Sequence, residues 1–138
     1  MSDISSTLSL RAAVYQHVVA DVALIALLSA ARVYDEPPRA AAAPYVALGG
    51  VETRDLSGDA APVQEHLFAL EVVSREGGLA EALKIADRLV RRLDGAALAP
   101  EGHSLASLAW RFTDSGRAAD NGLRRATVSF RAVTEPLG

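Results

Sequence analysis

The sequence contains no cysteine, so disulfide bonds and thiolate metal sites are excluded, and a reducing cytoplasm is compatible with the composition. Aromatic residues are scarce: one tryptophan, three tyrosines and three phenylalanines occur among 138 residues. About 50% of the residues are hydrophobic, but many of these are alanine. The sequence therefore predicts a core built from leucines, valines and a few large side chains, namely Phe68, Trp110, Phe112 and Phe130.

The chain also lacks a strong excess of charge of either sign. It has 14 lysines and arginines against 17 aspartates and glutamates, which gives a formal net charge of −3 at pH 7. Proteins that bind nucleic acid along the phosphate backbone are usually basic, so this composition disfavours that role. A chain of 138 residues is typical of one domain, and we expect residues 1–138 to form a single domain.

Long hydrophobic runs are missing as well. No basic segment precedes an apolar run at the N-terminus, so we expect no signal peptide. The most apolar stretch, residues 18–31, is interrupted by Asp21 and is too short to span a bilayer. We interpret it as part of a buried helix and expect no membrane partner.

The first half of the chain predicts one helix and one hairpin. Apolar residues recur at helical spacing from about Thr7 to Ala30, with Ser6 or Thr7 as the N-cap and Asp21 on the outer face. Alternating residues predict strands from Tyr45 to Arg54 and from Glu65 to Ser74. A glycine pair at 49–50, inside the first strand, suggests a bulge.

The second half of the chain predicts another helix and another hairpin. After Gly77-Gly78, the apolar stripe from Leu79 to Leu93 predicts an amphipathic helix. Strands are expected from about His103 to Thr113 and from Leu123 to Thr134. Each should turn one set of side chains to a common face, Ala106, Leu108, Trp110 and Phe112 on the first strand and Ala126, Val128, Phe130 and Ala132 on the second.

The order helix, hairpin, helix, hairpin predicts the fold class. We expect an α+β domain with a mainly antiparallel four-stranded sheet and two helices packed on one face (α-β-β-α-β-β).

No constellation of residues predicts chemistry. His17, His66 and His103 lack metal-ligand spacing; His66 and His103 would meet only if both hairpins began at one sheet edge, and we interpret them as polar residues at strand ends. Gly77-Gly78 lacks the Walker and dinucleotide fingerprints and predicts a strand-to-helix corner. Four acids of the hairpin loops could bind a hard cation or act as acid–base catalysts, but we interpret them as solvated: Asp55, Asp59, Asp114 and Asp120. We expect no catalytic residue, metal site or cofactor.

Two groups of side chains are candidates for contacts. Four arginines should point outward, and they are either solvated or paired across a subunit boundary with acids such as Glu52, Asp55 and Glu71: Arg111, Arg117, Arg125 and Arg131. Tyr34 and Tyr45 border a proline-rich elbow from Arg32 to Pro44. They are either half-buried anchors for a neighbour or core residues with a satisfied hydroxyl.

Short segments spread over nearly the whole chain carry a family resemblance. They are Val33-Tyr34-Asp35, Pro38, Pro44-Tyr45-Val46, Gly49, Glu65-His66, Val73-Ser74-Arg75, Gly77-Gly78, Gly102-His103 and Phe130-Arg131-Ala132. In their order and spacing they resemble the tail terminator, or tail completion, proteins of long-tailed phages and of gene transfer agents. A tryptophan is common in those relatives where Val73 stands here, which suggests a different packing partner at that point.

The resemblance implies a non-enzymatic structural protein. Such a protein would form a homo-hexameric ring at the head-proximal end of the tail tube, stop polymerisation of the tail tube protein and join the tail to the head–tail stopper or adaptor protein. DNA would pass through its channel without specific binding. It would lie in the neck of the virion after assembly in the bacterial cytoplasm.

The candidate contacts with a neighbouring subunit or the tube are Tyr34, Tyr45, Asp55, Asp59, Arg111, Arg117, Arg125 and Arg131. We also expect the polar loop from Asp55 to Pro62 to be poorly ordered in a free monomer and to become ordered on assembly.

Other functions stay open at this point. Another neck component, such as a stopper or head-completion protein, is the nearest alternative. A small-ligand-binding α+β domain would need a pocket with converging polar groups, and the sequence indicates none. An enzyme would need a nucleophile with its base or a cluster of metal ligands, and the dispersed histidines and aspartates disfavour both.

Overall fold

The computed structural model describes residues 4–58, 62–75, 77–117 and 122–137. Within them, the elements follow the chain as α1 (Ser6–Val19), α2 (Val22–Leu28), β1 (Val33–Tyr34), β2 (Tyr45–Asp55), β3 (Gln64–Ser74), α3 (Leu79–Leu93), β4 (His103–Arg117) and β5 (Arg124–Pro136). The strands form one sheet in the order β1-β2-β3-β5-β4. β1 pairs parallel with β2, and the other neighbouring strands pair antiparallel.

The predicted α+β class is confirmed, but the predicted details of two helices and four antiparallel strands are wrong, since the described part has three helices and a mixed five-stranded sheet. The additional strand, β1, lies in the proline-rich elbow, where Val33 pairs with Val46 and Tyr34 with Ala47. A strand of two residues has no recognisable alternation, because a period of two needs several repeats to stand out.

The predicted helix from Thr7 to Ala30 is two helices, α1 and α2, which are bent by 74° relative to each other. Asp21 lies at the bend and is only 4% exposed, so its predicted place on the outer face is wrong. Its carboxylate accepts hydrogen bonds of 2.7 and 3.0 Å from Arg88 of α3. A buried carboxylate is costly without such a partner, and the bend brings the two side chains together.

Helix α1 also begins differently from the prediction. Ser5 is the N-cap, and its hydroxyl accepts a hydrogen bond of 3.1 Å from the Leu8 N–H.

No described helix is by itself long and apolar enough to cross a membrane, and only the bent pair of α1 and α2 passes that test of length and composition.

The core lies between the helices and one face of the sheet. The side chains predicted to point inward from β5 are all fully buried: Ala126, Val128, Phe130 and Ala132. Phe130 stacks on Phe68 of β3, with ring centroids 5.5 Å apart. From the predicted stripe of α3, Ala82, Ala86, Leu89 and Leu93 are fully buried. Within the described residues, no helix packs on the opposite face of the sheet, which we call the open face.

The predicted common face of β4 is confirmed for Leu108 and Trp110 but is wrong for Phe112. Of its four residues only Leu108 is buried, whereas Trp110 is 44% and Phe112 is 48% exposed. The register against β5 shifts twice along the strand, once between Trp110 and Phe112. A shift by one residue sends the following side chains to the other face, because side chains alternate along a strand. Trp110, before the second shift, lies opposite Phe130 on the same face as Leu108. Phe112, after this shift, lies opposite Ser129 on the open face.

The predicted bulge in β2 is confirmed, because its pairing with β3 shifts register between Leu48 and Val51. A Cβ atom at Gly49 would lie 3.0 Å from the carbonyl oxygen of Ala69. Glycine at this position therefore lets β3 approach closely.

The predicted corner at the glycine pair is also present. Gly77 has a φ of 75°, and a Cβ atom at Gly78 would lie 2.5 Å from the Oγ atom of Ser74. The Ser74 hydroxyl donates to Glu81 at 2.6 Å, and the Arg75 guanidinium pairs with the same carboxylate. The end of β3 is thereby tied to the first turn of α3, and Arg75 lowers the pKa of Glu81 below its ordinary value.

Candidate assembly surfaces

The open face of the sheet combines an apolar centre with charged side chains. The apolar or weakly polar residues that the register places there include Leu67, Ala69, Ala109, Phe112, Thr127 and Val133. The charged residues on the same face include Glu52, Arg54, Glu65, Glu71, Asp114, Arg125 and Arg131. All of these side chains are half-buried or exposed. An apolar surface rimmed by charges is typical of a contact with another protein.

Arg131 is paired within its own chain. Its Nε atom lies 2.5 Å from a carboxylate oxygen of Glu65, on the adjacent strand β3. The sequence suggested other acids as partners of the outward arginines, and within the described structure these acids form no ion pair with them. Glu52 pairs with Arg54 on the same strand at 2.6 Å, and Glu71 has no ion pair with a described residue. The partner Glu65 was missed because the pairing depends on the register of β3 against β5.

The other three outward arginines have no carboxylate partner among the described residues. Arg125 lies exposed on the open face, and Arg117 is the exposed last residue of β4. The guanidinium of Arg111 lies over the ring of Phe112, 5.5 Å from its centroid. Their exposure agrees with the prediction, and they are available to acids of another chain.

Trp110, Arg111 and Phe112 are consecutive residues of β4, the outermost strand of the sheet, with Trp110 on the helix side and Phe112 on the open face. We call these three residues the aromatic edge. The indole Nε1–H of Trp110 donates to Thr113 Oγ1 at 3.0 Å. Sequence reasoning found only the arginine, because both aromatic residues were assigned to the core. The register shift after Trp110 turns Phe112 to the open face, and no local sequence feature indicates this shift.

The opposite edge of the sheet carries a groove beside the elbow, with a volume of about 360 Å³. Helix α1 and the elbow line it together, with Leu8, Arg11, Tyr15, Tyr34, Asp35 and Glu36 among the lining residues. We call it the elbow groove. Arg11 donates from Nε to Asp35 at 2.6 Å and from Nη1 to the Gly49 carbonyl at 2.7 Å. Leu8 is 59% exposed at its margin.

The two tyrosines of the elbow contact each other. The rings of Tyr34 and Tyr45 meet edge to face, with centroids 5.9 Å apart and an interplanar angle of 62°. Both are half-buried, and neither hydroxyl forms a hydrogen bond with a described residue. They are therefore not core residues with satisfied hydroxyls, and Tyr34 faces the elbow groove.

His66 lies near the beginning of β3, as the sequence predicts. It is fully buried, and its ring nitrogens lie 2.9 Å from Thr53 Oγ1 and 2.8 Å from Thr134 Oγ1. Thr53 in turn contacts the Thr7 hydroxyl at 2.6 Å, which ties α1 to the sheet. Burial and, to a lesser extent, the nearby His103 lower the pKa of His66 below its ordinary value.

The loop acids of the prediction separate into different environments. Asp55 ends β2, and its carboxylate accepts from the Ser57 hydroxyl and, at 2.9 Å, from its N–H, which lowers the pKa of Asp55. Asp114 is not in a loop but lies within β4, opposite Thr127. Asp59 and Asp120 lie outside the described residues. Among the described residues, no group of three or more histidine, aspartate or glutamate side chains is arranged to hold a metal ion.

Comparisons with known proteins agree with this fold. Residues 12–135 match the family described as tail completion protein gp17. A solved chain from the virion of a native gene transfer agent particle is 31% identical, with a TM-score of 0.87 over 96% of this chain and 99% of that chain. A second solved structure is 18% identical over 98% of both chains, with a TM-score of 0.55, and shows a shared fold alone. No curated protein matches. The chain therefore belongs to the tail completion protein gp17 family.

Proposed function

We propose that this protein is a structural component of a phage or gene transfer agent tail, and that it forms a homo-hexameric ring at the head-proximal end of the tail tube. The ring stops polymerisation of the tail tube protein and joins the tail to the head–tail stopper or adaptor. The observation that carries this proposal is the match, over nearly the full length of both chains, to a protein from a native gene transfer agent virion.

Three surfaces of the chain support an assembling role. A ring needs two different surfaces on each subunit that fit each other and close. The aromatic edge and the elbow groove lie on opposite edges of the sheet, and the open face lies between them. We assign contacts with a neighbouring subunit or the tube to these residues: Tyr34, Tyr45, Asp55, Asp59, Arg111, Arg117, Arg125 and Arg131.

The proposed role is non-enzymatic and needs no cofactor or membrane. The protein assembles in the bacterial cytoplasm and remains in the neck of the virion. DNA passes through the ring without specific binding. The net charge of −3 supports this last point, since an acidic surface repels phosphate groups.

Electron microscopy of the particles tests the proposal. Cryo-electron microscopy of purified tailed particles should reveal six copies of this fold in a ring directly above the last ring of the tube. Cells that lack the gene should accumulate tubes of uncontrolled length without heads, and a plasmid copy should restore normal tails. Absence of the chain from the particle, or a position beside the portal rather than on the tube, would overturn the assignment.

A further inference from the structure

We propose that the aromatic edge of one copy inserts into the elbow groove of the next copy, with Arg111 facing the partner's Glu36. The inference rests on the proposed ring and names the two surfaces that build it. It also names a second copy of this chain as the occupant of the groove.

The aromatic edge has the composition of an interface anchor. Trp110 and Phe112 leave 44% and 48% of their surfaces exposed, and Arg111 lies over the Phe112 ring. Tryptophan and arginine are enriched among the residues that contribute most to protein–protein binding, whereas exposed large aromatics are unfavourable on an isolated subunit.

Another strand cannot pair with the sheet at Leu108 and Trp110 on β4, nor at Gly49 on β2, because backbone groups there already form hydrogen bonds. On β4, the Leu108 carbonyl accepts from the Gly95 N–H at 2.8 Å, and the Trp110 N–H donates to Asp94 at 3.0 Å. The end of α3 therefore covers the strand edge, and the two register shifts further interrupt it. The proposed contact is therefore made by side chains rather than by backbone groups at Leu108 and Trp110.

The edge of β2 beside the elbow groove is closed in a similar way. Arg11 donates to the Gly49 carbonyl of β2 at 2.7 Å and is itself held by Asp35. What remains accessible is a concavity of about 360 Å³ with an apolar wall that includes Leu8 and Tyr15. This shape accepts inserted side chains but not an added strand.

The charges of the two surfaces are complementary. Glu36 lines the groove, is exposed and has no ion pair with a described residue. Arg111 likewise lacks a carboxylate partner among the described residues. Pairing them satisfies both charges and brings the aromatic edge of one copy against the apolar wall of the next copy.

The topology lets this contact repeat. The strand order β1-β2-β3-β5-β4 puts the groove at one end of the sheet and the aromatic edge at the other. Each copy thus carries one of each surface, so the contact is head to tail. Successive head-to-tail contacts close into a ring when the rotation between copies is suitable.

A charge swap in particle-producing cells tests the pairing. Arg111→Glu and Glu36→Arg should each reduce the chain recovered in purified particles at least about tenfold, because like charges then face each other. The double variant should recover to within about twofold of the wild type. Lys84→Glu, on the exposed side of α3, is the matched control and should leave recovery unchanged. Single variants without effect, or a double variant no better than the worse single one, would overturn the proposal.

Cross-linking gives a second measurement, because the natural chain has no cysteine. In purified particles, a chain with both Arg111→Cys and Glu36→Cys should form a ladder of covalent oligomers with a short bis-maleimide. A chain with Arg111→Cys and Lys84→Cys should form none. If the wild-type chain is absent from particles, the proposed function fails; if it is present but the first pair gives no ladder, only this inference fails.

Discussion

The ion pair between Asp21 and Arg88 holds the bend between α1 and α2, and Asp21→Asn removes its charge at nearly constant size. Exposed ion pairs contribute about 0.2–1 kcal/mol, whereas losing one partner of a buried pair costs about 3–5 kcal/mol. Asp21 is nearly inaccessible, but the side chain of Arg88 is 33% exposed and can turn toward water. We therefore expect the free energy of unfolding to fall by about 2 kcal/mol, out of a typical total of about 5–15 kcal/mol.

The loss should depend on pH with a defined sign. Arg88 lowers the pKa of Asp21 below its ordinary value of 3.8. A carboxyl group with a lowered folded-state pKa stabilises the protein above its unfolded-state pKa, and this stabilisation disappears as the pH falls through the folded-state pKa. The difference between the wild type and Asp21→Asn should therefore be complete near neutral pH and shrink below about pH 4.

Urea unfolding followed by circular dichroism, repeated from about pH 7 to about pH 3, measures this difference. Asp87→Asn is the control, because Asp87 is exposed on α3 and has no ion pair with a described residue. A loss that persists unchanged in acid, or an equal loss in the control, would refute the reasoning.

Two further predictions concern His66 and the strand-to-helix corner. Burial lowers the pKa of His66 below 6.5. Just below pH 6.5, therefore, the unfolded chain takes up a proton at His66 and the folded chain does not. The free energy of unfolding should decrease by up to about 1.4 kcal/mol for each unit by which the pH is lowered in this range. Urea titrations should show a smaller slope in His66→Gln, and an unchanged slope would contradict this. Gly78→Ala should cost about 1–3 kcal/mol, because its Cβ would meet Ser74. Gly50→Ala, with nothing within 4 Å of its Cβ, should cost much less in thermal unfolding, and equal losses would contradict the steric argument.

Elements with many repeats of their period were predictable from the sequence. The amphipathic helix was expected from Leu79 to Leu93 and has those bounds. Strands β2, β3 and β5 begin and end within two residues of their predicted limits. The bend at Asp21 was not predictable, because the apolar period continues through it and the partner of Asp21, Arg88, lies far along the chain.

The candidate surfaces also contain parts that the sequence predicted and parts that it did not. Arg125 and Arg131 were placed correctly on the open face, since they alternate with the buried residues of β5. Phe112 was misplaced, since a register shift is a property of two paired strands rather than of either sequence. Trp110 lies on its predicted face, but it is exposed rather than buried. The groove at Glu36 was missed because it forms between α1 and the elbow.

The sequence by itself determined the α+β class, most of the strands and helices and, through short segments in a fixed order, the family. These features depend on local periodicity, turn chemistry and residue identity, which are all present in the linear chain. Only the tertiary structure decided where α1 ends, which aromatic residues remain exposed and which charges are paired. These depend on contacts between residues distant in sequence, such as Asp21 with Arg88 and Glu65 with Arg131, for which the linear chain carries no local pattern.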